Sequence, residues 1–218
     1  NIVAHDLKAP LNRITGLTTL LEMEDGLTDR QREYLTMIKG ATKSGSDLIT
    51  DLLDVNFLNE SALNHVSVLI DLKSLLEKRI RYYQVSADLK SIKIDFSSDI
   101  QSEFHSVPDY LIRSVDNLIS NAIKFSPNNS LIVIKCHVNN KRAVISICDS
   151  GPGFTEEDKQ YLFQRFKKLS ASPTGGESSN GLGLAIVKTL VDRLKGEIEL
   201  KSSPGMGAEF IISIPSSR

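Results

Sequence analysis

Between Tyr34 and Val55, residues Tyr34, Ile38, Ala41, Gly45, Leu48, Leu52 and Val55 recur at steps of 4, 3, 4, 3, 4 and 3. That alternation is a heptad seam, the pattern of a helix packed lengthwise against another helix. Thr28 followed by Gln31 has the form of a capping box and predicts where this helix starts. Residues 1 to about 24 predict a second helix. Val3, Leu7, Leu11, Ile14, Leu17 and Leu21 fall on one stripe at about 100° per residue. Asp25-Gly26-Leu27-Thr28-Asp29 breaks the pattern between the two helices, so they form an antiparallel hairpin. Leu35, Ile49 and Leu53 add a row beside the seam. One hairpin cannot bury both stripes and this extra row, whereas two hairpins paired as a four-helix bundle can. A homodimer through residues 1–60 is therefore expected.

From about residue 65 the texture changes. Val66 to Leu69 is a short apolar run, and Leu72 to about Tyr83 reads as a helix. Ile92 to Phe96 alternates as a strand does. Leu111 to Phe125 reads as a helix. Leu131 to Val138 and Ala143 to Cys148 read as strands joined through Asn139-Asn140-Lys141. Thr155 to Phe163 predicts a short helix, with Thr155 and Asp158 at its capping positions. Leu184 to Leu194 predicts another helix, and Gly196 to Ser202 and Glu209 to Ile214 predict closing strands. Helices mixed with antiparallel strands make this part α+β. Ser170 to Gly181, rich in Ser, Pro and Gly, reads as a mobile lid.

Composition narrows the function classes. Of 218 residues 40% are hydrophobic and 24% charged, which supports a real core and excludes global disorder. A net charge of −1 gives no bulk electrostatic reason to bind nucleic acid or an anionic membrane. No run of about 18 apolar residues is present, so membrane attachment is expected only through regions outside this sequence. The opening Asn1-Ile2-Val3 has no signal-peptide character and no starting Met, which suggests a fragment, expected to be cytoplasmic. Cys136 and Cys148 sit in strand-like apolar runs and make no disulfide framework.

Residues able to do chemistry fall into clusters. His5 lies about 180° from the centre of the first stripe, on the solvent side, free to act as a nucleophile. Asp6 beside it can orient the ring or take its proton. Pro10 removes the amide that would bond the Asp6 carbonyl, so a bend just after His5 is expected. Asn117, Asn121 and Lys124 are spaced i, i+4 and i+7 on one helix face. Carboxamides and an ammonium there suit hydrated magnesium and phosphates, or simply a solvated face. Asp149-Ser150-Gly151-Pro152-Gly153-Phe154 follows a strand: a carboxylate and close-approach glycines for a base, or an ordinary turn. Gly181-Leu182-Gly183-Leu184 opens a helix, where free amides hold anions. Gly205-Met206-Gly207 reads most simply as a hairpin turn.

In order and spacing, these segments resemble the transmitter core of two-component sensor histidine kinases of the HisKA type. Ala4-His5-Asp6-Leu7-Lys8-Ala9-Pro10-Leu11 is similar to the H box, and Asn117 to Phe125 to the N box. Asp149 to Phe154 is similar to the G1 box and Phe163-Gln164-Arg165-Phe166 to the F box. Ser179 to Leu184 is similar to the G2 box, and Gly205 to Phe210 to the last glycine box. The resemblance implies residues 1–62 as a dimerisation and histidine phosphotransfer hairpin. It implies residues 65–218 as a catalytic ATP-binding domain, an α/β sandwich of the GHKL (Bergerat) type shared with Hsp90, gyrase B and MutL. It further implies ATP and Mg2+ as cofactors, with Asp149 reading the adenine amino group and Gly151 and Gly153 close to the base. Asn121 would be the metal ligand, with Asn117 and Lys124 near the ion or phosphates. Gly181, Leu182, Gly183 and Leu184 would line the phosphates, and Phe163 and Phe166 would anchor the lid. His5 would be the phospho-acceptor and Asp6 its proton acceptor, and the phosphoryl group would pass to an aspartate of a response-regulator receiver domain.

Departures from the family pattern are specific. Many members carry Thr or Asn four residues after the histidine, to position water for dephosphorylating the regulator; Ala9 has no group to hold that water, so weak phosphatase activity is expected. The first G2 glycine is replaced around Ser179, and Ala208 stands where Thr is usual. One rival is an ATP-hydrolysing machine of the same superfold. Those carry a water-activating Glu at the position of Asn117, and Asp116 is rotated about 100° off that face. The other rival is a nucleotide-binding scaffold without catalysis.

Overall fold

Helices α1 (Ile2–Glu22) and α2 (Asp29–Asn59) form the hairpin that the two periodicities predict. The computed structural model describes residues 2–59, 66–167, 169–175 and 180–217; side chains of residues 2–6, 47 and 51–59 lie outside that description. The capping box closes α2 as expected: Thr28 N–H donates to Gln31 Oε1 at 2.8 Å, and Gln31 N–H to Thr28 Oγ1 at 3.3 Å. The helix contact itself differs from expectation. Small residues share it with two leucines: Thr18 and Thr42 are buried with Leu35, and Gly45 lets Leu11 approach. The buried threonine hydroxyls are satisfied by Ile14 O and Ile38 O one turn back. Lys39 and Glu22 form an ion pair across the hairpin. Leu7, Ile14, Leu17 and Leu21 of the first stripe, with Tyr34, Ile38 and Leu48 of the seam, are exposed on this single chain. Close helix approach selects small side chains, so the larger apolar rows are turned outward.

The chain divides into two compact units, α1 and α2 belonging to the first and all other elements to the second. The second contains β1 (Val68–Leu69), α3 (Leu72–Asp88), β2 (Lys93–Ile100), β3 (His105–Ser106), α4 (Pro108–Phe125) and β4 (Leu131–Asn139). It continues with β5 (Arg142–Cys148), α5 (Glu156–Tyr161), α6 (Gly183–Arg193), β6 (Glu197–Ser202) and β7 (Ala208–Pro215). The main sheet has the order β2-β4-β5-β7-β6. Its pairs are antiparallel except β2–β4, which is parallel. That exception corrects the expected antiparallel arrangement, and its cause is α4, the crossover helix between the two strands.

Period-2 patterning puts Ile132, Ile134, Cys136 and Val138 of β4 on the buried face. The register continues that face into Ala143, Ile145 and Ile147 of β5, then Phe210, Ile212 and Ile214 of β7. Helices α3, α4 and α6 supply the opposing layer, with Leu76, Leu118, Ile119, Ile186 and Leu190 fully buried. The central helix, α4, begins with Pro at its first turn and carries Lys124 in its last turn, as the helix dipole favours. A two-stranded ribbon, β1–β3, stands apart from the main sheet. The C-terminal residues join it: Ser217 N–H donates to His105 O at 2.9 Å, and Ser67 Oγ to Ser217 O at 2.6 Å.

Candidate functional site

Asn117, Asn121 and Lys124 are half-buried on α4, on its flank toward α6. Asn117 Nδ2 donates to Arg113 O at 2.9 Å, which turns its Oδ1 away from its own helix. A β-carbon on Gly183 would come within 3.0 Å of Asn117 Oδ1 and 3.7 Å of Asn121 Nδ2. Glycine at 183 therefore lets the first turn of α6 seat against both carboxamides. No side chain caps α6, so its leading amides are donors available to an anion. Leu182 is fully buried, so its side chain belongs to the core and only its backbone can face a ligand. Leu184 is half-buried.

Gly181 has φ +67°, and a β-carbon there would lie 2.5 Å from Lys167 O. Gly181 O accepts from Phe166 N–H at 3.0 Å. Phe163 is half-buried, whereas the Phe166 ring is exposed on a residue with φ +61°; its tie to Gly181 runs through the backbone.

Asp149 directly follows β5 and faces back into the unit. Its Oδ1 accepts from Gly151 N–H at 2.8 Å and Ala208 N–H at 3.2 Å, leaving Oδ2 for a ligand donor. Burial pushes the Asp149 carboxyl up in pKa, against those two amides. Gly151 is pressed on the Phe125 carbonyl, where a β-carbon would be at 3.1 Å. Gly153 has φ +70°, and a β-carbon would be 2.1 Å from Ser203 O. Gly205 N–H donates to Pro152 O at 2.7 Å. The 149–154 loop and the 203–207 hairpin thus interlock. Gly207, Ala208 N–H and Ser126, whose Oγ accepts from Ser150 N–H, belong to this construction. The Gly205-Met206-Gly207 spacing was the available signal for the first two; nothing in the sequence marks Ser126.

The expected mobile lid is held at two points. Ser170 N–H and Oγ donate to Asp158 at 2.8 and 2.5 Å. Thr174 is bonded to the end of α4. Side-chain groups and a helix end outcompete the polar composition there; residues 176–179, including Ser179, lie outside the described set. Asp158 also completes the capping box with Thr155. Burial pushes its carboxyl up, but the bonds from Ser170 and Thr155 outweigh that and hold it at about 2. Its contribution to stability is therefore full above its ordinary 3.8 and lost as pH falls toward about 2. Urea midpoints of wild type and Asp158→Asn should differ at pH 5 and converge as pH falls through that window.

His5 and Asp6 lie on α1, which continues through Pro10 as one helix. Their side chains are among those outside the described set.

Family models match both units. Residues 106–218 match the histidine kinase-, DNA gyrase B-, and HSP90-like ATPase model, and residues 1–60 match the His Kinase A (phospho-acceptor) domain. The chain belongs to the sensor histidine kinases, as their transmitter core. The circadian input-output histidine kinase CikA of Synechococcus elongatus is 30% identical over 98% of this chain and 29% of its own length. The sensor histidine kinase GacS of Pseudomonas protegens is 32% identical over 97% of this chain and 24% of its own. BarA of Escherichia coli is 31% identical over 95% and 23%. The chain thus spans less than a third of these relatives. Among solved structures, full-length ShkA in complex with AMPPNP has a TM-score of 0.72 at 25% identity, covering 99% of this chain and 45% of that one. The histidine kinase AdeS of Acinetobacter baumannii shares the fold, with a TM-score of 0.64 at 24% identity over 98% of both chains.

Within this transmitter core, Asp116 is engaged elsewhere. Arg79 Nε and Nη2 hold its two oxygens at 2.6 and 2.8 Å, while burial pushes its carboxyl up. It is not available to activate water at the site. No trio of His, Cys, Asp or Glu among the described residues forms a metal cage. The donor set on α4 is instead amide oxygen, which suits a magnesium ion that keeps most of its ligands as water and phosphate.

Proposed function

We propose that this chain is the catalytic engine of a sensor histidine kinase, taking the γ-phosphoryl group of ATP onto His5 and passing it to an aspartate of a receiver domain. The observation that carries the reading is the convergence on α4: Gly183 seats the uncapped start of α6 against Asn117 and Asn121, and the Asp149 loop packs on the end of α4 through Gly151 and Ser150. In this reading residues 1–62 are the dimerisation and phosphotransfer hairpin and residues 65–218 the catalytic ATP-binding domain. The exposed rows Leu7, Ile14, Leu17 and Leu21 with Tyr34, Ile38 and Leu48 supply the dimer seam. No helix among the described residues is long and apolar enough to cross a membrane.

Asp149 Oδ2 accepts the adenine amino hydrogen, with Gly151 and Gly153 close to the base. The amides of Gly181, Leu182, Gly183 and Leu184 and the Lys124 ammonium face phosphates, while Phe163 and Phe166 flank the lid. Asn121, aided by Asn117, holds magnesium, which neutralises phosphate charge when bound. An imidazole nitrogen of His5 attacks the γ-phosphorus as the bond to the β-bridging oxygen breaks; ADP leaves and Asp6 accepts the imidazole proton. The N–P bond then breaks as a receiver carboxylate takes the phosphoryl group. Ala9 offers no hold for water, so return dephosphorylation is slow.

The test is transfer of γ-labelled ATP with magnesium to wild type and His5→Ala. Acid-labile, alkali-stable label on wild type alone is expected. Equal label on both, or sustained hydrolysis by His5→Ala at the wild-type rate, overturns the assignment. Adding a phosphorylated receiver to the same reaction should show little dephosphorylation.

A further inference from the structure

Lys90 follows α3 and is only 8% exposed. A buried ammonium is tolerated only when its hydrogens are matched. Its Nζ donates to Ile123 O at 2.6 Å, Lys124 O at 3.1 Å and Thr174 Oγ1 at 2.6 Å. The first two acceptors are carbonyls of the last turn of α4. Within a helix the partner of Ile123 O would be the N–H of residue 127, and Pro127 has none. The Lys90 ammonium supplies that missing donor. Lys90 is itself tied down, because its carbonyl accepts from Asn129 N–H at 3.0 Å. The same turn of α4 carries the Asp149 loop. Ser126 is fully buried, and its Oγ accepts from Ser150 N–H at 3.3 Å. Gly151 is buried against Phe125 O, which a β-carbon there would approach to 3.1 Å. Gly151 N–H in turn donates to Asp149 Oδ1 at 2.8 Å.

We propose that Lys90 is a positioning residue for the base-reading carboxylate: it fixes the last turn of α4, and that turn seats Ser150 and Gly151, which aim Asp149. The inference rests on the ATP site proposed above. The links are short and run through backbone: Lys90 Nζ to Ile123 O, Phe125 O and Ser126 to residues 150 and 151, and Gly151 N–H to the carboxylate. Without the ammonium, Ile123 O is left without its donor, and the turn has to shift to find another. A shift of about 1 Å matters little to packing but much to a carboxylate that must meet a ligand hydrogen in line. In the proposed site Asp149 meets the base and not the phosphates. The loss should therefore be the same for ATP and ADP and should leave the rate of transfer alone.

Lys90→Met keeps most of the side chain's length and removes its donors. Affinity for ATP and for ADP should fall by the same factor, about tenfold, with kcat of autophosphorylation within about twofold. In the Asp149→Asn background the same substitution should cost less than about threefold, because its route to the base is already gone. Additive losses overturn the path through Asp149. Hydrogen exchange on the nucleotide-free protein reads the positioning without ATP. The Gly151 amide should exchange about tenfold faster in Lys90→Met, relative to the Ile145 amide at the centre of β5. Equal acceleration at both amides marks a general loss of stability, and no acceleration at Gly151 marks a seat that does not need the ammonium; either result overturns the proposal. If Lys90→Met does not fold, Lys90→Gln, which keeps a donor for one carbonyl, carries the same measurements with smaller shifts in the same directions. Wild type with a protected Gly151 amide that binds neither ATP nor ADP overturns the nucleotide reading, and with it the role of Lys90 toward the base.

Discussion

Asp149→Asn is expected to lower affinity for ATP by about 100-fold while leaving the domain folded. The reason is the division of labour between two oxygens. Oδ1 accepts from Gly151 and Ala208, and asparagine can keep that oxygen in place. Oδ2 becomes an NH2 group, so in the proposed site a donor would face the adenine amino donor, and the charge is lost. Calorimetric titration with Mg-ATP measures the loss, and an unchanged thermal midpoint shows that the fold survives. The pH dependence has a definite sign. Burial raises the carboxyl of the free protein, and only the ionised form accepts fully from adenine. Affinity of wild type therefore falls as pH drops through that raised value, and the asparagine variant shows no such fall. In the empty protein the same shift works oppositely: its stability contribution is present below the ordinary carboxylate value and lost as pH rises through the raised one. Affinity of Asp149→Asn within threefold of wild type would remove the carboxylate from the site.

Gly207→Ala is expected to cost about 2–4 kcal/mol of stability and to weaken ATP binding with it. Gly207 has φ +75°, and a β-carbon would lie 2.1 Å from the Asp149 carbonyl oxygen. That oxygen belongs to backbone and cannot swing aside, so the chain just after β5 must move at Asp149, the residue proposed to read the base. Gly205 supplies the control. It lies in the same turn with φ +79°, yet nothing is within 4 Å of its β-carbon position. Gly205→Ala should cost only the left-handed backbone term, about 1–2 kcal/mol, with ATP affinity intact. Urea unfolding and ATP titration of both variants decide between a tight backbone crossing and a generic turn preference. Equal effects at the two positions would discard the crossing.

Periodicity and capping carry local information, and the elements they encode were legible. The Thr28–Gln31 and Thr155–Asp158 capping boxes both form, and the strand alternation of residues 131–148 gives β4 and β5. Two parts were not legible. The first stripe predicts an apolar face but not what meets it, and contact fell to Thr18, Thr42 and Gly45 because two helices approach most closely over small side chains. The parallel β2–β4 pair depends on where the chain returns after α4, which no local pattern states. At the site, Asp149 and the α4 asparagines stand out by residue type and spacing. Lys90, Ser126 and Thr174 do not, because they act through contacts between residues far apart in the chain.

The stitching of Ser67 and His105 to Ser216 and Ser217 brings the two ends of the second unit side by side. A body whose first and last residues nearly touch behaves as a cassette: it can be inserted into a host chain at one point without stretching its own sheet. That closed outline suits a unit whose family model spans kinases, gyrase B and HSP90-like ATPases. It also means that joining residue 217 to residue 67 by a few glycines, and opening the chain at the exposed Asn140 turn, should leave the same sheet order in a permuted chain.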